Sequence, residues 1–185
     1  MNKDTMYNVK NRSASMVVYK IPEANIRREW QPGETKRISF KELEQLSYQS
    51  GGRELMANFL QVVEEEVTDT FGINRQPEYD MSEQQIVDLL KSGSREAFLD
   101  ALDFAPIGVL DLIKKFAVAL PLEDMFKREA LKEKTGFDVD KAIANEKADK
   151  EKEEKITPVE EKATATPTGR RTNTSYKVIN KTAEQ

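Results

Sequence analysis

The sequence predicts an α+β fold: a small antiparallel β-sheet with two short helices, then a helical domain and an extended tail. Three observations carry this prediction. Apolar and polar residues alternate between Tyr7 and Phe40, apolar residues recur at helical spacing between Ser82 and Ile143, and apolar periodicity stops beyond Ile143. The organisation read from them is a sheet-and-helix domain over 1–72, a hinge over 73–80, a helical domain over 81–143, and a charged flexible tail over 144–185 that carries a terminal docking segment.

Tyr7 to Lys10 reads as a first strand, closed by the turn signal Asn11-Arg12-Ser13. Met16 to Ile21 reads as a second, with Val17, Tyr19 and Ile21 on one face, and Pro22 ends it. Ile26, Arg28 and Trp30 alternate with Arg27 and Glu29 in a third, and Gln31-Pro32-Gly33-Glu34 is a type II turn signal into a short strand with Ile38 and Phe40. Trp30 and Tyr19 are expected in the core. Ser39 with Glu42 is a capping-box signature for a helix bearing Leu43 and Leu46. Gly51 and Gly52 break that helix, and Leu55, Met56, Phe59 and Leu60 mark a second one that covers a face of the sheet. Residues 61–67 return as an edge strand.

In the second domain Ser82 and Gln85 cap a helix carrying Ile86, Leu89 and Leu90, which Gly93 ends, and Ser94 caps the next, with Phe98, Leu99 and Leu102. Pro106 opens a third helix in its first turn, where a missing N–H costs nothing. Val109, Leu110, Leu112, Ile113, Phe116 and Ala117 cover most of its circumference, which makes it central to the domain. Pro121 stops it. Met125, Phe126 and Leu131 lie on a fourth helix, and Thr135-Gly136-Phe137 turns into a fifth with Val139 and Ile143.

Residues 144–162 are dominated by Lys and Glu, so a helix continuing into them has little to bury. Ala163 to Thr174 is rich in Thr and has a linker composition. Tyr176, Val178 and Ile179 then form a short strand-like cluster between Ser175 and Asn180. As a docking peptide this cluster would add to a sheet edge on another subunit; three stray apolar residues are the plainer account.

The chain contains neither histidine nor cysteine. The usual soft metal ligands, thiol nucleophiles and neutral-pH proton shuttles are therefore missing, and so is any disulfide scaffold. A serine nucleophile would need a lysine or carboxylate base, for which no spaced motif exists. The carboxylates at Glu64, Glu65, Glu66 and Asp69, and at Asp100, Asp103 and Asp111, lack calcium-loop spacing and read as a solvated face. Gly51 and Gly52 lack the Gly-Lys-Ser/Thr ending of a phosphate loop. No catalytic residue, cofactor or metal site is assigned, and a non-enzymatic role is expected. No run of about 18 apolar residues occurs, and the opening residues lack the apolar core of a secretory signal, so a soluble protein without a membrane partner is expected.

Charge is uneven: ten basic and seven acidic residues over 1–62, ten and eighteen over 63–143, nine and eight over 144–185. An acidic middle domain is a poor phosphate-binding surface. Arg27, Arg28, Lys36 and Arg37, expected on adjacent strands beside Trp30, form the one basic cluster that could contact nucleic acid; Glu29 and Glu34 interrupt it, as they would the polar face of a half-exposed sheet. Arg170 and Arg171 add little at physiological salt.

The run Asn11 to Phe40, with Tyr19-Lys20-Ile21-Pro22 and Pro32-Gly33-Glu34, continues through Leu43, Leu46 and Gly51-Gly52-Arg53. Together with Leu99 to Pro106, Gly108-Val109 and Lys134 to Phe137, it resembles small uncharacterised virion-associated proteins of tailed bacteriophages, over residues 7–143. The resemblance implies a structural or head-tail junction role in a virion assembled in the host cytoplasm. The partners it implies are shell, portal or connector subunits, with the chain present in multiple copies. An assembly chaperone or scaffold absent from the mature particle, and a nucleic-acid-binding accessory factor, are the alternatives. No catalytic motif comes with the resemblance.

Overall fold

Strand β1 (Met6–Asn11) lies between two antiparallel partners, β4 (Thr35–Ser39) and β5 (Leu60–Val62), with Val9 opposite both Lys36 and Val62. The computed structural model describes residues 2–156, and the side chains of residues 2–150. Strands β2 (Val17–Ile21) and β3 (Ile26–Trp30) pair antiparallel with Val17 opposite Trp30, and form a separate two-stranded sheet. The α+β class is as predicted, but the strands divide between two sheets. Asn11 is the reason. Fully buried, its amide donates to the carbonyls of Ser15, Trp30 and Gln31, while its Oδ1 accepts from the N–H and hydroxyl of Ser13. These side-chain bonds replace a ladder and turn the chain out of the first sheet. The hairpin then lays Val17, Tyr19 and Ile21 on that sheet, with the Trp30 indole donating to the carbonyl of Val9 at 3.3 Å.

Phe40, expected in a strand, is instead the first residue of α1 (Phe40–Tyr48), because the Ser39 hydroxyl accepts from the N–H of Glu42 and starts the helix there. Its ring packs on Phe71 at 5.6 Å. Gly51, at φ +75°, ends the connection, and α2 (Gly52–Asn58) begins so close to α1 that a Cβ on Gly52 would lie 1.8 Å from the Leu46 carbonyl oxygen. Leu60, expected on α2, belongs to β5, which is the expected edge strand but stops at Val62. Glu65 and Glu66 then favour the first turn of α3 (Glu65–Thr70). Within the expected hinge over 73–80, two side chains are held in the core of the first domain. Ile73 and Tyr79 are buried in the first core, and the guanidinium of buried Arg12 lies 3.8 Å over the Tyr79 ring while Nη1 donates to the Tyr79 carbonyl at 2.7 Å.

The second core is built by α4 (Glu83–Ser92), α5 (Arg95–Phe104), α6 (Ile107–Ala119), α7 (Met125–Thr135) and α8 (Val139–Ile156) around Ile86, Phe98, Ile113 and Leu131. The starts of α4, α5 and α7 each follow a side-chain cap. Ser82 and Gln85 form both halves of a capping box, the Ser94 hydroxyl accepts from Ala97, and Asp124 accepts from Phe126 and Lys127. Pro106 sits one residue before the first turn of α6, and that helix packs against α4 and α8, as its all-round apolar surface requires. The tail boundary at 143 falls inside α8. Ala, Lys and Glu are strong helix formers, and Lys150 pairs with Glu146 at 2.7 Å, so the helix continues to Ile156 with its described side chains beyond Ile143 exposed.

The two cores meet where α6 begins. A Cβ on Gly108 would come within 2.8 Å of both the Arg12 Cγ and the Asn58 carbonyl oxygen. Gly108→Ala is therefore expected to cost about 1–3 kcal/mol by forcing this contact open. The check is denaturant unfolding of the full chain, where an unchanged midpoint would contradict the close approach.

Candidate functional site

The four basic residues of the predicted nucleic-acid contact are divided between strands of two different sheets. Arg27 and Arg28 lie on β3, whereas Lys36 and Arg37 lie on β4 in the other sheet. Within each strand successive side chains take opposite faces. Carboxylates neutralise three of the four: Arg27 pairs with Glu29 at 2.8 Å, Arg28 with Glu42 at 2.9 Å, and Lys36 with Glu34 at 3.2 Å. Lys36 also stands 5.5 Å over the Trp30 ring, so its ammonium serves the fold. Arg37 alone of the four has no ion pair among the described residues. Trp30 and Tyr19 are buried core, as expected, and offer no stacking platform.

Arg28 belongs to a three-residue knot joining both strands of the hairpin to α1. Its Nε and Nη2 donate to Glu42 Oε1 and Oε2 at 2.9 and 3.0 Å, and Tyr19 Oη donates to Glu42 Oε1 at 2.5 Å. Burial pushes the Glu42 carboxyl up, but the hydrogen bonds from Arg28 and Tyr19 and the charge of Arg28 outweigh it and hold the group below its ordinary value. Burial and the same carboxylate hold the Tyr19 phenol well above the usual range, so it stays protonated. Glu42 thus stabilises the fold above its unfolded pKa of about 4.3, and this contribution is lost as pH falls through its lower folded value. Glu42→Gln is expected to lose about 1–3 kcal/mol near neutral pH. The gap from wild type should narrow below about pH 4, measured by denaturant unfolding across pH; a constant gap would contradict an ionised Glu42.

The free edge of β2 is a different kind of surface. Among the described residues no strand other than β3 pairs with it, and no further backbone hydrogen bond engages Val17 to Lys20. Beside it runs a groove of about 360 Å³ between β2 and the helices α2 and α6, lined by Ser13, Met16, Val17, Leu55, Phe59 and Asp111. Met16 and Val18 are 53% and 37% exposed, and Leu55 and Phe59 are only half-buried. Reading the chain for cores and charges missed this site, although its signal was present: in a strand whose odd positions are buried, Met16 and Val18 make the outward face apolar as well.

A second cavity, about 330 Å³, lies among Leu90, Phe116, Leu120 and Leu122 with buried Lys127 in its wall. The Lys127 ammonium donates to the carbonyls of Leu89 and Leu90 at 2.8 and 3.1 Å. Burial lowers its pKa, with Asp124 acting in the other direction. These bonds cap the C-terminal end of α4, which makes Lys127 a structural residue.

Of the acidic clusters, Glu64 accepts from the N–H and side-chain amide of Asn8. No group of three or more carboxylates among the described residues is arranged to hold a metal ion. No helix among them is long and apolar enough to cross a membrane. Tyr176, Val178 and Ile179 lie outside the described residues. No family model, curated protein or solved structure matches the chain.

Proposed function

We propose that the chain is a non-enzymatic structural or head-tail junction protein of a bacteriophage particle, docking onto larger shell or portal subunits and present in multiple copies. The observation that carries a docking role is the free edge of β2 beside the groove lined by Leu55 and Phe59, with Met16 and Val18 exposed on it. An unpaired edge offers backbone donors and acceptors, and an apolar groove adds side-chain specificity. The internal pairing of Arg27, Arg28 and Lys36 favours a protein partner over nucleic acid. The sequence resemblance supplies the particle.

Mass spectrometry of purified particles tests location and stoichiometry together, and the chain is expected at a fixed copy number. Val18→Asp, on the exposed face of β2, should leave the fold intact by circular dichroism and reduce incorporation by at least about tenfold, as a charge buried in a docking contact requires. Absence of the chain from particles would overturn the virion role, and undiminished incorporation of the variant would overturn the β2 edge as the docking surface.

A further inference from the structure

We infer that the groove along β2 is filled by the segment Ser175–Asn180 of this same chain, added as a third strand to the β2–β3 sheet. The inference rests on the reading of the β2 edge as a docking surface and names a segment of this chain, in place of a shell or portal subunit, as what pairs with that edge. On the receiving side, β2 has an open ladder, an apolar hollow lined by Leu55 and Phe59 on its inner side, and apolar Met16 and Val18 on its outer side. A strand laid there must be apolar on both faces at neighbouring positions. Ser175-Tyr176-Lys177-Val178-Ile179-Asn180 has the sequence pattern that such a strand requires. Tyr176 and Val178 share the face that would enter the hollow, and Ile179, on the other face, would meet Val18. Lys177 shares the outer face, where its ammonium reaches water.

The occupant must also reach. Residues 157–174 connect the end of α8 to the segment, and 18 residues span up to about 60 Å when extended. That reach permits docking on the chain's own edge or on that of a neighbouring copy, and both place the same side chains in the same groove. The β3 edge is less suited, because Lys36 already donates to the Glu29 carbonyl there.

The chain has no cysteine, so disulfide mapping of the full-length protein is clean. Neighbouring strands bring Cα atoms to about 5 Å, within disulfide range. The double variant Val18→Cys with Ile179→Cys is expected to cross-link under mild oxidation at least about tenfold faster than Tyr48→Cys with Ile179→Cys, through the raised effective concentration. Tyr48 is the control because it is 73% exposed, at the end of α1. Adding Val178→Asp should remove the advantage. A covalent dimer or ladder marks docking between copies and supports both the inference and the β2 edge as a contact between subunits; a faster-migrating monomer marks docking within one chain, which supports the inference and overturns the edge as a contact between subunits. Equal rates for the two pairs, or an advantage that survives Val178→Asp, overturns it. If the rates are equal while Val18→Asp still blocks incorporation, the groove takes a segment of another particle protein, and only the choice of occupant falls.

Discussion

Trp30→Ala is expected to lower the unfolding free energy by about 3–5 kcal/mol, with a fall in melting temperature of more than about 10 °C. Trp30 has no exposed surface, packs 5.3 Å from the Tyr19 ring, and ties the two sheets together through its indole N–H to Val9. Alanine would leave a cavity between two sheets that share no ladder, and would also strip the Val9 carbonyl of its indole donor. Thermal and denaturant unfolding followed by fluorescence measure the loss, from Trp30 in the wild type and from Tyr7, Tyr19 and Tyr79 of the same core in the variant. A change under about 1 kcal/mol, the ordinary range for a surface site, would contradict this placement.

Phe98→Ala should cost a similar amount, about 3–5 kcal/mol, but in the other core. Phe98 is fully buried, and the Lys127 ammonium stands 5.7 Å from its ring, so truncation also exposes a buried charge to an empty space. Because Trp30 is the only tryptophan, its fluorescence reports the first core, while far-ultraviolet circular dichroism is weighted toward the helices of the second. The dichroism midpoint is expected to move more than the fluorescence midpoint, since Trp30 and Phe98 belong to separate hydrophobic clusters. Equal shifts at both probes would mean that the two cores unfold as one cooperative unit.

The candidate surfaces were legible in the sequence to different degrees, for physical reasons. Ser39 and Glu42 match a capping box, and Ser39 does cap α1. Glu42 nevertheless turns away to Tyr19 and Arg28, because a carboxylate beside a guanidinium and a buried phenol is better satisfied there than on one backbone N–H. Arg27 and Lys36 both contact Glu29, one at its carboxylate and the other at its carbonyl, so they meet as paired groups and not as a free basic face. Asn11 sends their strands into different sheets, and the interrupting residues Glu29 and Glu34 become ion-pair partners. The segment read as a hinge carries Tyr79, whose partner Arg12 lies 67 residues away, beyond what any local window reports.

Local chemistry by itself determined the helical caps at Ser82 and Ser94, the turn at Gly136 and the burial of Trp30 and Tyr19. Each depends on neighbours within a turn or on apolar periodicity. Tertiary structure alone decided that the five strands among the described residues make two sheets and that β2 keeps an open apolar edge. Those outcomes turn on which surfaces meet. A strand pattern states which side chains seek cover, whereas the identity of the cover is fixed by packing partners distant in the chain.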